Sequence, residues 1–297
     1  MAHTRTFVLM AVLTALFASI GLVIGGQLGM VIALGMAGAM NLWSWYASDT
    51  MVLRLYRAQE LSPEVAPDLY RLTAELAARA GLPTPRLYLI EEDQPNAFAT
   101  GRSPEKGVVA VTRGLVERMS REELAGVIAH ELAHIRNRDT LVMTITATLA
   151  GAIGLLANIA GSMRNQRGGP AVIASLVLTL LAPLLAMLVQ LAISRGREYE
   201  ADRVGAEICG DPRWLASALQ RLHSEAAVRD NAVAEANPAT AHLFIVNPLH
   251  AHARDSLFST HPSLANRVAA LMQMRPAAAP AATSKPSSAK PYRPWGR

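Results

Sequence analysis

The sequence predicts a mainly α, integral membrane protein, with four transmembrane helices in two hairpins and a cytoplasmic α+β domain holding a small sheet. Three observations predict it. Four uncharged apolar runs are each long enough for a bilayer. The residues between them carry the patterns of soluble helices and strands. One soluble helix, with a strong start signal, carries the pattern H-E-x-x-H. Composition agrees: of 297 residues 51% are AVILMFWYC and 17% are charged, and mean hydropathy is +0.22. A soluble domain carries about 25% charge. These numbers argue against an ordinary soluble enzyme and against a disordered chain. The chain reads as part membrane, part soluble.

Residues 6–24 and 28–48 contain no Asp, Glu, Lys or Arg, and Gly25, Gly26 and Gln27 separate them. A bilayer core needs about 20 apolar residues, so each run suffices and the pair reads as a tight hairpin. A signal peptide would end in a small-residue cleavage site before a polar mature segment, and none follows. Trp43, Trp45 and Tyr46 fall where aromatic side chains mark a membrane interface, with Arg54 and Arg57 just beyond. Residues 141–163 and 171–193 form the second pair, joined by the turn 164–170, with Pro183 a kink site. Runs of this length are long for buried core helices, which are the alternative. Two hairpins put the N-terminus, 49–140 and 194–297 on one side, with Arg5, Arg54, Arg57, Arg136, Arg138, Arg195 and Arg197 near the spans. The other side has only Arg164 and Arg167. The positive-inside rule then places the large parts in the cytoplasm, with the two loop arginines running against it.

The domains expected are 1–48 as the N-terminal hairpin, 49–140 as the first part of the catalytic domain and 141–193 as the second hairpin. Residues 194–274 are its second part, and 275–297 a disordered basic tail rich in Pro and Ala. The interrupted pieces 49–140 and 194–274 together are long enough for one core. Ser62-Pro63-Glu64 reads as a helix start and Gly81-Leu82-Pro83 as its stop. Residues 86–90 and 107–112 read as strands, with the loop Asn96-Ala97-Phe98-Ala99-Thr100-Gly101 between them. Ser120-x-x-Glu123 is a capping box opening a helix to about Asn137. Later helices are expected at about 194–208, 214–227 and 263–274.

The net charge of +5 and pI near 9.7 come from arginines beside apolar runs and in the soluble part. Aromatics are only 5% and no dense basic stripe exists, so nucleic acid is not expected as a partner. The single cysteine, Cys209, rules out an intrachain disulfide and fits a reducing compartment. It reads as a core residue at a helix end.

His130-Glu131-Leu132-Ala133-His134 places two imidazoles at i and i+4, on one helical face, where both reach one metal ion. Glu131 lies about 100° round the helix, placed to take a proton from water. With eight histidines and fifteen glutamates in the chain, the pattern is expected by chance about 0.01 times. A catalytic zinc needs a third protein ligand. Residues 137 and 140 are Asn and Thr, which removes the metzincin pattern. The best candidate lies in Ser194-Arg195-Gly196-Arg197-Glu198-Tyr199-Glu200-Ala201-Asp202. Glu198 and Asp202 share a face, so one can bind metal while the other orients an imidazole. Glu200 points roughly opposite. An exposed charged helix is the alternative reading of this stretch.

The HELAH helix, the downstream SRGREYEAD segment, the NAFATG loop, Asn237-Pro238-Ala239-Thr240-Ala241-His242 and Thr260-His261-Pro262-Ser263 occur in an order that resembles HtpX-type membrane metallopeptidases. These are relatives of the CAAX prenyl endopeptidases, and the resemblance covers roughly 1–274. It implies a zincin-like (gluzincin) fold with one Zn2+ per chain. It further implies that His130, His134 and Glu198 hold the zinc, with Asp202 completing E-x-x-x-D and Glu131 as general base. The implied activity is that of a zinc endopeptidase of membrane-protein quality control and stress response, in the bacterial cytoplasmic membrane, with its site facing the cytoplasm. Protein substrates (unfolded or membrane proteins), lipid and other quality-control proteins are the partners implied.

Several residues are open between roles. Asn96, Ala97, Phe98 and Ala99 form either an edge strand that takes a substrate backbone or a plain turn. His261 either donates to a tetrahedral oxyanion, as a catalytic residue, or caps the following helix. Asp139 either orients a histidine or, the better reading, starts the next helix. His223, His242, His250 and His252 lack metal spacing and read as surface or loop residues. Three rival functions stand beside the endopeptidase: cleavage inside the bilayer, a CAAX-type prenyl-protein protease, and a catalytically silent membrane scaffold of the same fold. Ile135-Arg136-Asn137-Arg138-Asp139 is a poor membrane segment, which argues against the first. Four apolar runs are few for the second. The intact H-E-x-x-H argues against the third.

Overall fold

The N-terminal apolar sequence forms helix α1 (Ala2–Leu55), which breaks at Gly25 (φ −131°, ψ 17°) and Gly26 (φ 61°, ψ −150°). Gly26 adopts a conformation open in practice only to glycine. The break folds the two arms back on each other. Gly21 and Gly29 would lie about 12 Å apart along a continuous helix. Instead a Cβ on either would strike the other's carbonyl oxygen. This computed structural model describes residues 2–146, 195–249 and 262–276. Among the residues described together with their side chains, no helix is long and apolar enough to cross a membrane. That set leaves out 2–10 and scattered positions up to Asp49 in α1. All of 147–194 lies outside the described residues, and with it most of the expected second hairpin. So do His250, His252, His261 and the tail from 277.

The far end of α1 docks on a four-stranded sheet: β1 (Gln59–Glu60), β2 (Arg86–Ile90), β3 (Ala97–Thr100) and β4 (Val108–Thr112), in the order β1-β2-β4-β3. β2 and β4 are parallel, and β1 and β3 pair antiparallel to their neighbours. Strands covered on both faces read as continuous apolar runs, and β4 is Val-Val-Ala-Val-Thr for this reason. Period-two alternation sorts its side chains. Leu87, Leu89, Ala97, Ala99, Val109 and Val111 face the main core with the helices. Ile90, Phe98, Val108 and Ala110 face a second cluster with Val52, Leu53, Tyr56 and Phe244.

Helix α2 (Pro67–Ala80) begins later than the sequence suggests. Ser62-Pro63-Glu64 builds a turn, with the Val65 and Ala66 N–H groups both donating to the Ser62 carbonyl at 3.1 Å. Pro67 then takes the first helical position. The predicted stop holds: Gly81 is left-handed at φ 70°. A short helix α3 (Arg113–Arg118), capped by Thr112, leads into α4 (Arg121–Arg136). The capping box that opens α4 is complete, with Ser120 and Glu123 each accepting from the other's backbone N–H. A further helical segment starts at 139. Then come α5 (Arg195–Cys209), α6 (Pro212–Ala226), α7 (Ala232–Ala236), the 3-10 turn Pro238–Leu243 and α8 (Leu264–Met272).

Helix α4 is the centre of the domain, packed by α2, α5, α6 and β3. Two glycines permit the tightest crossings. A Cβ on Gly126 would meet Leu215 N at 2.7 Å, and one on Gly205 would meet His130 Cα at 2.9 Å. The main core draws on both sequence halves, from Leu61 to Ile135 and from Ala201 to Leu271.

Candidate metal centre

His130 and His134 project from one face of α4 into a buried site, with 0% and 3% of their surface exposed. Their Nε2 atoms lie 3.2 Å apart. Helix α5 brings Glu198 to the same point. This is possible because Gly205, two turns further along α5, lies against the His130 backbone. Glu198 Oε1 is 3.7 Å from His134 Nε2, and Glu198 Oε2 is 3.8 Å from His130 Nε2. The three donor atoms all lie within 4.8 Å of one another.

The other ring nitrogens face carboxylates. Asp202 Oδ1 is 3.0 Å from His130 Nδ1, and Asp139 Oδ2 is 3.3 Å from His134 Nδ1. Carboxylates there select the tautomers that leave both Nε2 lone pairs facing the centre. Asp202 accepts two hydrogen bonds of 2.7 Å from Arg267, through Nε and Nη2. Arg267 Nη1 donates to the Ile245 carbonyl at 3.0 Å and stands 3.8 Å from Glu198 Oε2. Arg197 Nε approaches Asp139 at 3.8 Å.

Burial and charge move the titrations in opposite directions. Burial pushes His130 down to about 4, more than its Asp202 contact raises it. Burial lowers His134 too, but its Asp139 hydrogen bond and the carboxylates of Glu198 and Glu131 outweigh that and carry it up to about 9. Burial raises Glu131 to about 7, against the pull of His134 and with the push of Glu198. Burial alone would raise Asp202 as well, yet Arg267 and His130 hold it below the usual carboxylate range.

These residues fit a zinc ion. Two imidazoles and a carboxylate are the donor set of a catalytic zinc, and bonds of 2.0–2.2 Å in a tetrahedron set donors about 3.4 Å apart. Glu131 supplies an independent sign. Its side chain is 1% exposed, the Ala99 N–H supports its carboxylate, and Oε1 is buried without a hydrogen-bond partner. A buried carboxylate oxygen needs a donor, and a water between Glu131 and the metal would provide one.

Residues 63–275 match the profile of peptidase family M48. The chain belongs to peptidase family M48. The match runs from before α2 to beyond α8, so every residue of the centre falls inside this M48 region, and it bears out the resemblance at the level of the family. Among solved structures, the crystal structure of S. mikatae Ste24p aligns over 90% of this chain and 67% of its own, at 19% identity and a TM-score of 0.45. That likeness is too loose to bear on function.

Ala97, Phe98 and Ala99 lie in β3, at the sheet edge and packed on α4. Asn96, just before them, is buried and bonds to Val246. Glu200 is exposed and pairs with Arg203. His261 lies outside the described residues. Asp139 does more than start a helix, because its carboxylate also faces His134. His242 is not a surface residue. It is 3% exposed, with Nε2 3.1 Å from the Met143 carbonyl, because the 3-10 turn drives it into the core. Arg267 escaped the sequence reading altogether. Its one signal is position: with Leu264, Val268 and Leu271 it shares the inward face of α8, where an arginine demands a buried anion.

Proposed function

We propose that the chain is a zinc-dependent membrane endopeptidase that hydrolyses peptide bonds of misfolded or membrane proteins at the cytoplasmic face, in protein quality control. The observation that carries this reading is the convergence of His130, His134 and Glu198 beside a Glu131 whose Oε1 lacks a partner. Membership of peptidase family M48 supports it.

His130, His134 and Glu198 would hold the zinc, which supplies a Lewis acid and lowers the pKa of a bound water from 15.7 to about 7. Glu131 accepts the proton of the attacking water and returns it to the leaving amine. Asp202 and Asp139 keep the imidazoles turned toward the centre, and Arg267 keeps Asp202 ionised. The outward edge of β3 is where a substrate backbone would add as a strand. His261, of the two roles open to it, would serve as a donor to the oxyanion. The uncharged runs and the close glycine contact between the arms of α1 support membrane insertion, since small residues let membrane helices approach.

The test pairs the parent with Glu131→Gln, both purified in detergent, measuring bound zinc and cleavage of unfolded casein. One zinc in each and cleavage by the parent alone is the expected result. Zinc in both with cleavage by both would remove Glu131 from its role. No zinc in either would return the reading to a scaffold.

A further inference from the structure

The outer edge of β3 already carries a segment of the same chain. The Thr112 N–H donates to the Asn96 carbonyl at 3.0 Å, so even-numbered residues of this stretch bond to β4. Antiparallel alternation then turns the N–H and C=O groups of Ala97 and Ala99 away from β4, toward the open edge. There the Ile245 N–H donates to the Ala97 carbonyl at 3.1 Å. The Asn96 side chain grips the next residue: its Nδ2 donates to the Val246 carbonyl at 2.8 Å and its Oδ1 accepts from the Val246 N–H at 3.4 Å. The Phe244 ring meets the Phe98 ring edge-on, with centroids 5.3 Å apart. Residues 244, 245 and 246 thus lie beside 98, 97 and 96, joined to β3 by one backbone hydrogen bond, while the Ala97 N–H is taken by its neighbour's side chain, Asn96 Oδ1, at 3.1 Å.

The far side of this segment reaches the metal centre. The Ile245 carbonyl is held by the same Arg267 Nη1 that stands 3.8 Å from Glu198. The centre is buried: His130, Glu131, His134 and Glu198 are 0%, 1%, 3% and 6% exposed.

We propose that Phe244–Val246 occupies in cis the place of a substrate strand on β3, so that this structure is a self-occupied state and a polypeptide substrate enters by displacing the segment. The inference rests on the endopeptidase reading above and deepens it. The ligand it specifies is an extended stretch of polypeptide able to pair antiparallel with residues 96–98. Folded proteins rarely offer a free strand, so the displacement itself selects unfolded substrates. The space vacated by Phe244, walled by Tyr56 and Phe98, takes a large apolar side chain.

Two measurements test this on the full chain in detergent, loaded with zinc. The first is hydrogen exchange of Glu131→Gln with and without unfolded casein. Residues 243–249 are expected to be protected alone and to lose protection with casein, while β4 stays unchanged. The second is casein cleavage by Ile245→Pro, which deletes the N–H bonded to Ala97. Phe244, at φ −79° and ψ 148°, already has the backbone that a following proline requires. The variant is expected to keep its zinc and to cleave faster by at least roughly 2- to 12-fold, the equivalent of one backbone hydrogen bond, since it also trims a buried side chain of the main core. A parent that cuts casein while 243–249 stays equally protected with and without it overturns the displacement. Cleavage by Ile245→Pro without cleavage by the parent supports a self-occupied site. No cleavage by either overturns the endopeptidase reading and this inference together.

Discussion

Arg267 gathers the charges of the centre. Glu131, Glu198 and Asp202 are buried within a few ångströms of two imidazoles, and a buried carboxylate needs a cation or several donors. Arg267 meets that need for Asp202 with two bonds and lends its third nitrogen to Ile245. Replacing Arg267 by Met leaves Asp202 buried with its main partner gone, which should destabilise the fold by about 3–5 kcal/mol. The double variant Asp202→Asn with Arg267→Met should recover part of that loss, as read from thermal unfolding in detergent. Asp202→Asn alone tests the orientation of His130. Zinc affinity should fall roughly 10- to 100-fold, measured against a competing chelator. An unchanged affinity would show that packing alone fixes the ring.

At the scale of elements, the site depends on how closely α5 can cross α4. Gly205 makes that crossing possible, and the atoms its Cβ would strike are backbone atoms of His130 and Ala129, which cannot swing aside. Gly205→Ala should therefore cost about 1–3 kcal/mol by overpacking and also weaken zinc binding, because Glu198 rides on the displaced helix. The capping box predicts a pH effect. Burial would raise Glu123, but the Ser120 N–H, the Ser217 hydroxyl and Arg221 together hold it below the usual carboxylate range. A folded value below the unfolded 4.5 means that its stabilisation is present above pH 4.5 and fades as pH falls through the folded value. Glu123→Gln should lower stability by about 1 kcal/mol at neutral pH. The gap from the parent should close under acid unfolding.

For the whole molecule, the N-terminal arms, the sheet and the helical core make one connected structure. The end of α1 is buried against β3 and Phe244, so the apolar hairpin is joined directly to the wall of the site. If the hairpin sits in the bilayer, the chain should stay with the membrane pellet through alkaline carbonate extraction. Recovery in the supernatant would remove the membrane from the proposed function. Gly21→Leu should force the arms apart, since the contact it would meet is the Gly29 backbone. Heavier crosslinking or lower yield in detergent would register that loss.

The sequence by itself determined the features that rest on local spacing. His130 and His134 share a face because a helix repeats every 3.6 residues. Ser120 and Glu123 begin that helix because each satisfies the other's free amide, and Gly81 ends α2 because a left-handed residue is needed there. The donor set fits zinc, and short apolar runs rich in β-branched and aromatic residues marked β2 and β4. The start of α2 was misread because a serine–proline pair initiates a turn as readily as a helix. Only the tertiary structure decided what lies between distant segments. Arg267 meets Asp202 across 65 residues, and Asn96 meets Val246 across 150. No periodicity links such pairs, because each is set by which helix can cross which and by which buried charge needs an opposite. His242 became buried, and the edge of β3 became occupied, for the same reason. An open sheet edge exposes unpaired amides, and whichever chain segment can reach them closes the hydrogen bonds.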